Sequence, residues 1–300
     1  MLKDKKGKQS FSEAIFRTAG FIASLITVAT TATILYIILW ETYLFFREVP
    51  VWDFLFGTRW APLLEPRSFG VLPLICGSLM IVVGASLVAI PLGLATAVFL
   101  SEFAGQKTRS ILKPVLEVLA GIPTIVYGYF ALVILTPALR HLFPTIQVFN
   151  ALSASIVVGI MVLPMVATLC EDALQNVPLS LKRNAYALGA TPFEVIKDVV
   201  IPTASSGIIA SFILAVSRAL GETMAVTLAA GATPKLTINP LESIQTVTAY
   251  IVQVSLGDTP AGTIEYKSIF AVSFILFMIT YLFNIIGIRF LKKRAFLYEG

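Results

Sequence analysis

The sequence predicts an all-α polytopic membrane protein with six transmembrane helices. Hydrophobic residues make up 57% of its 300 residues and charged residues only 13%, against roughly 45–50% and about 25% in soluble domains. Mean hydropathy is +0.88. The charges are also bunched, leaving apolar windows as long as the ~20 residues that a spanning helix needs. A soluble core of this size cannot hide so much apolar surface, and the same excess excludes intrinsic disorder.

The windows follow in order. Twenty-three uncharged residues separate Arg17 from Glu41, and 34 separate Arg67 from Glu102. Glu117 to Arg140 encloses 22, His141 to Glu171 encloses 29, and Lys267 to Arg289 encloses 21. Residues 199–234 carry only Arg218 and Glu222 as charges. The spans are therefore placed at about 18–45, 71–100, 115–139, 146–170, 203–231 and 268–290, in one domain over 18–300 behind a tail of residues 1–17. The first run exceeds the roughly 7–15 residues of a signal-peptide core and lacks an A-x-A-like site, so it reads as a retained anchor. Pro91, Pro123 and Pro164 fall in mid-span, where proline usually kinks a helix.

Orientation follows from Lys and Arg. Fifteen fall on one side, in the tail (Lys3, Lys5, Lys6, Lys8, Arg17), the 101–116 loop, the 171–203 loop and the C-terminus (Arg289, Lys292, Lys293, Arg294). Six fall opposite: Arg47, Arg59, Arg67, Arg140, Lys235 and Lys267. This bias places both termini in the cytoplasm. It also accounts for the net charge of +5 without a nucleic-acid partner.

Other counts exclude chemistry. One histidine, His141, rules out a two-histidine metal site, and two distant cysteines, Cys76 and Cys170, rule out a CxxC motif and a disulfide scaffold. No Walker A or GxGxxG frame occurs. No catalytic residue, metal or cofactor is expected on this chain.

The outer segments carry local signals. Trp52, Phe54, Phe56, Trp60 and Phe69 predict an interfacial aromatic belt, preferred over a docking surface. Asn239-Pro240-Leu241-Glu242 reads as N-cap, N1 proline and N3 acid. With Ile244, Val247, Ile251 and Val254 on one face and Gly257 at the end, it predicts a short amphipathic surface helix.

The loop at 178–202 is dense with helix grammar. Ser180 is the expected cap of a helix that Gly189 ends. Thr191-Pro192-Phe193-Glu194 is a capping box with proline at N1, and Pro202 is the expected stop of the second helix. The product is a rigid cytoplasmic elbow with apolar knobs at Tyr186, Leu188, Phe193, Val195 and Ile196.

Arg218 and Glu222 lie deep in the fifth window. Counted from Ala204, Arg218 is about 21 Å along a helix at 1.5 Å per residue, past the middle of a core roughly 30 Å thick. A lone charge there costs at least ~2.5–3.5 kcal/mol. The i, i+4 spacing predicts that the two share a face and neutralise each other. Small residues (Gly207, Ala210, Ser211, Ala215, Ser217, Ala219, Gly221) surround them and permit close helix approach or room for a pathway. An arginine fork suits an oxyanion, because it binds bidentately and keeps its proton. The alternative is a static ion pair that fixes packing.

These residues also carry resemblances. Asn184-Ala185-Tyr186-Ala187-Leu188-Gly189-Ala190-Thr191, followed by Val199-Val200-Ile201-Pro202, resembles the EAA loop of ABC-importer permeases. Ala185, Gly189 and Pro202 fit that pattern, whereas Arg183 stands where the family carries glutamate and Asn184 where it carries alanine. Ser217-Arg218-Ala219-Leu220-Gly221-Glu222-Thr223-Met224-Ala225 is similar to the RAxGETMA segment of bacterial phosphate-importer permeases. Leu119–Gly128 resembles their LxGIPSVVYG stretch, and Phe69–Leu79 resembles the opening of their second span. The last points to the PstC-type of the two permeases.

The resemblance, over about residues 50–290, implies the MetI-like fold of a type I ABC importer with an EAA-type coupling helix. It implies a second homologous permease (PstA-like), two ATPase subunits (PstB-like) that carry ATP and Mg, and an extracytoplasmic phosphate-binding protein (PstS-like), in the lipid bilayer of a bacterial inner membrane. Arg218 and Glu222 become pathway residues, and Asn184, Ala185, Gly189, Thr191, Glu194 and Pro202 the ATPase-coupling elbow. The rivals are a permease for sulfate or molybdate, a secondary transporter, and a membrane enzyme, for which no convergent nucleophile and base are present.

Overall fold

A computed structural model describes the backbone over residues 2–298 and the side chains of residue 13 and residues 16–289. The cations Lys3, Lys5, Lys6, Lys8, Lys292, Lys293 and Arg294 lie outside the described side chains.

Helix α1 (Leu2–Phe46) runs unbroken from the tail through the first apolar window. A short helix α2 (Val51–Phe56) and a two-stranded antiparallel hairpin, β1 (Trp60–Ala61) with β2 (Ser68–Phe69), then lead into α3 (Leu72–Val98). α3 widens into a π-helical stretch over Phe99–Phe103. The third window is broken: α4 (Gln106–Gly121) meets α5 (Thr124–Phe130), a π stretch (Ala131–Leu135) and α6 (Thr136–Arg140) at 90°. Pro123 sits at that break, where it has no N–H to continue the ladder.

α7 (Ala151–Gln175) starts where Asn150 accepts a hydrogen bond from the Ser153 N–H at 2.7 Å. The elbow comprises α8 (Leu179–Ala187), α9 (Pro192–Glu194), a π stretch (Val195–Val200) and α10 (Ile201–Thr203). It meets α11 (Ser205–Leu220) at 69°. After a second interruption come α12 (Met224–Ala230), α13 (Val247–Ser255) and α14 (Ile264–Tyr298). Four stretches, Phe16–Phe46, Leu72–Phe103, Ala151–Gln175 and Ile264–Arg289, are each long and apolar enough to cross a membrane, and the two bent pairs raise the number to six.

Two cores hold this arrangement. The larger lies between α3, α7, α11, α12 and α5, and includes Ile81, Ala85, Val158, Val162, Ile208, Ala215 and Val226. Its α3–α7 seam closes to backbone distance: a Cβ on Gly159 would stand 2.7 Å from the Val88 Cβ and 2.9 Å from the Ala85 carbonyl oxygen. Small residues at such crossings replace the missing hydrophobic drive with dispersion contact. Pro91 and Pro164 sit inside α3 and α7, which run through them unbroken, unlike Pro123.

The smaller core lies at the end away from the elbow. It corrects the aromatic-belt reading: Phe54 and Trp60 are buried, packed with Phe45 and Tyr250, while Trp52 and Phe56 stay exposed and stacked. Trp60 meets Tyr250 edge-on with centroids 4.8 Å apart. The reason is the hairpin, which folds the aromatics back onto α13 and α14. The predicted surface helix is also corrected. Asn239 forms a turn, accepting from the Leu241 N–H, and α13 begins only at Val247, capped by Thr246. Its residues Val247, Ala249 and Tyr250 are buried, because the helix packs on α14.

Replacing Gly159 with leucine is expected to cost about 1–3 kcal/mol through overpacking of the α3–α7 seam, read as a lower unfolding temperature in detergent. Gly20→Leu, where a Cβ would meet nothing within 4 Å, is expected to leave that temperature unchanged.

Candidate functional site

Two neighbourhoods concentrate the expected site residues. The elbow is the first. α8 ends in a Schellman motif: the Ala190 N–H donates to the Ala185 carbonyl at 3.2 Å and the Gly189 N–H to the Tyr186 carbonyl at 3.0 Å. Gly189 adopts φ +88° as this motif requires. The capping box forms in both directions, with the Thr191 N–H donating to Glu194 Oε2 at 2.7 Å and the Glu194 N–H to Thr191 Oγ1 at 3.4 Å. Those bonds, the Thr191 N–H first and its hydroxyl second, hold the Glu194 carboxyl below the usual carboxylate range.

Three details of the elbow are corrected. Ser180 lies inside α8 and caps nothing; Pro178 occupies the N-cap. Pro202 does not stop the helix, which continues to Thr203, because the wider π turns before it accommodate the ring. Val195 is buried in the larger core and Ile196 is buried as well, so neither is a knob. Leu188, Phe193 and Tyr186 do project, 90%, 70% and 48% exposed. Asn184 is exposed beside them, and Ala185 packs inward.

The second neighbourhood is the interruption after α11. Ser205, Ile208, Ser211, Ala215 and Ala219 bury one face of that helix. Ser206, Ala210, Leu214 and Arg218 form an i, i+4 row on its open side, and Arg218 is exposed in the last turn. The helix ends at Leu220, so Glu222 no longer lies on the same face as Arg218. The predicted ion pair is absent: among the described residues no carboxylate lies within ion-pair distance of Arg218. Glu222 is buried, and its Oε1 accepts from the Ala225 N–H at 3.3 Å in the first turn of α12. The Thr248 hydroxyl donates to the Glu222 carbonyl at 2.8 Å, pinning the break from α13.

The two broken windows meet here. α5 lies on α12 so closely that a Cβ on Gly128 would stand 2.9 Å from the Ala225 carbonyl oxygen and 2.9 Å from the Leu228 Cβ. Arg218, in the last turn before this interruption, is exposed on the open side of α11, with no cover from the described residues.

Sequence reasoning missed one charged cluster near the elbow. Glu171, 1% exposed near the end of α7, faces Lys113 Nζ at 3.0 Å and Arg109 Nε at 3.8 Å, both from α4. Glu102 pairs with Lys182 at 2.7 Å. These residues had served only as window limits and positive-side counts. The available signal was an acid closing an apolar window opposite a basic i, i+4 pair, Arg109 and Lys113. Cys170 is buried against Ser211, with Sγ and Oγ 2.8 Å apart, as a packing residue.

Residues 89–294 match the family described as binding-protein-dependent transport system inner membrane component. The probable ABC transporter permease protein YqgH of Bacillus subtilis (strain 168) is 34% identical over 242 residues, covering 81% of this chain and 78% of that protein. The phosphate transport system permease protein PstC of Mesorhizobium japonicum is 32% identical over 295 residues, covering 91% of this chain and 88% of that protein. Among solved structures, an inward facing form of the MetNI methionine ABC transporter aligns with TM-score 0.59 and 18% identity, over 77% of this chain and 99% of that one. That likeness bears on the fold alone.

Gly189→Val isolates the backbone at the elbow, since a Cβ there meets nothing within 4 Å. The left-handed φ is expected to cost about 1–2 kcal/mol. Faster amide exchange over residues 185–195, with α3 and α7 unchanged, is the expected result.

Proposed function

The chain belongs to the family of inner membrane components of binding-protein-dependent transport systems, and from that premise we propose that it is the PstC-type permease of an ATP-driven phosphate importer. It supplies half of a translocation pathway and carries the elbow on which a separate ATPase docks. The unpaired, exposed Arg218 at the break after α11 is the observation that carries this reading.

A guanidinium facing lipid near the middle of the bilayer costs at least ~2.5–3.5 kcal/mol. Its face must therefore be covered by water, by an anion or by another protein. A second, homologous permease closing over the open side of α11 gives Arg218 a water-filled cleft. In that cleft the fork binds a tetrahedral oxyanion through two parallel N–H donors. Glu222, turned away to hold α12, leaves the fork without a competing carboxylate; it supports the pathway wall and does not touch the anion. This revises its expected role beside Arg218.

Coupling uses the elbow. Leu188, Phe193 and Tyr186 form an apolar face between two capped helices, and such a rigid element transmits displacement that a loose loop would absorb. ATP-driven closure of two ATPase subunits moves the elbows of the two permeases, and the pathway opens toward an extracytoplasmic phosphate-binding protein. Both termini and the elbow lie in the cytoplasm in this arrangement. ATP and Mg belong to the ATPase chains; this chain binds no cofactor and makes no bond.

Arg218→Lys keeps the charge and removes the fork, so ATP-dependent phosphate uptake by the assembled importer is expected to fall by about tenfold or more. Unchanged uptake would remove Arg218 from the pathway. Uptake of sulfate or molybdate in place of phosphate by the unaltered importer would move the substrate to another oxyanion.

A further inference from the structure

The elbow and Arg218 lie at different ends of α11, and the charged cluster that the function has not yet used lies at the elbow end. Lys182, on α8, donates to Glu102 Oε1 at 2.7 Å, and both side chains are largely buried, 14% and 13% exposed. Ser101 Oγ donates to the same oxygen at 2.8 Å. Glu102 belongs to the π stretch that ends α3, where the wider turns leave carbonyls without their usual helical partners. Arg109 of α4 takes up those carbonyls, donating from Nη2 to Leu100 at 2.6 Å and to Ser101 at 3.4 Å.

Arg109 and Lys113 then face Glu171 on α7, which also accepts from Gln175 Nε2 at 2.6 Å. A carboxylate 1% exposed is costly unless paired. Lys113 and Arg109 both come from α4, so Glu171 fixes that helix to α7. α4 in turn is the near arm of the 90° break, and beyond the break α5 packs on α12, which starts at Met224, just after the interruption that follows Arg218.

Resting on the permease reading above, we propose that Lys182–Glu102 and Arg109/Lys113–Glu171 form a two-step ion-pair relay that carries elbow displacement to the broken third span. The five are positioning residues and none of them touches the anion. The first pair joins the elbow to the end of α3, Arg109 joins that end to α4, and Glu171 is the fixed point against which α4 pivots. When the elbow moves, α4 tilts at its break and α5 carries the displacement to α12, the helix that follows the interruption after Arg218. The pairs suit this task because each ties two helices together at a single point about which they can tilt.

The test uses the complete importer in proteoliposomes: this chain with its second permease, ATPases and binding protein. Two quantities are measured, labelled phosphate taken up per ATP hydrolysed, and the ATP-dependent change in amide exchange over residues 106–121. Lys182→Glu is expected to lower uptake per ATP by about tenfold while hydrolysis stays within about twofold. It is also expected to abolish the ATP-dependent exchange change. Adding Glu102→Lys restores the pair with reversed signs and is expected to recover both quantities, which assigns the loss to the pair itself.

Lys182→Gln removes the charge without adding a repulsion and is expected to give the same loss in milder form should the reversed charge prevent assembly. Wild-type uptake per ATP in both single variants would overturn the relay, as would a charge-swapped pair no better than either single variant. A wild-type importer that shows the exchange change and takes up no phosphate would contradict the phosphate reading and leave the relay standing.

Discussion

In hydrocarbon no water is available to satisfy a backbone N–H or carbonyl, so an interrupted span must find protein partners for the groups it frees. This chain interrupts two of its spans, and most of its functional architecture consists of the compensations. The third window turns by 90° at Pro123, a residue with no N–H to leave unpaired. The fifth window stops at Leu220, and the freed groups are taken by Glu222 Oε1 and the Thr248 hydroxyl. The short helices beyond the two breaks then pack on one another through Gly128 and Ala225. α3 and α7, brought close along their seam by Gly84, Gly93 and Gly159, are the fixed frame against which these pieces are set.

That constraint also decides where charge is tolerated. Glu171 is buried because two cations and an amide surround it. Arg218 has no such company and is exposed on the open side of α11. One site is closed electrostatically within the chain, and the other is open to whatever covers it. A charge neutralised within the chain and a charge left open are thus distinguished by their surroundings, although both sit beside long apolar windows in the sequence.

Much of this was legible beforehand, for identifiable reasons. Charge-bounded windows located the spans, because the bilayer penalises charge strongly. The elbow was legible through local grammar: Gly189 in the left-handed region and the Thr191–Glu194 box involve partners within five residues. The Arg218–Glu222 pair was misread because it assumed an unbroken helix, while the break is pinned by Thr248, 26 residues further on. Burial of Trp60 depends on Tyr250, and burial of Glu171 depends on α4; neither contact leaves a trace at short range. Pro202 and Ser180 failed because helix-stop and cap signals are preferences that a tertiary setting overrides.

The account turns on the open side of α11 being a water-filled, anion-binding pathway in the assembled importer. Leu214 lies one turn before Arg218 on that face and is 51% exposed in this chain. The direct measurement is the reaction of Leu214→Cys, with Cys76 and Cys170 replaced, toward a membrane-impermeant anionic thiol reagent, with and without phosphate. The account predicts that the thiol is modified in the assembled complex and that phosphate slows the modification. A thiol that is inert from water, or one that reacts at a rate indifferent to phosphate, would contradict it.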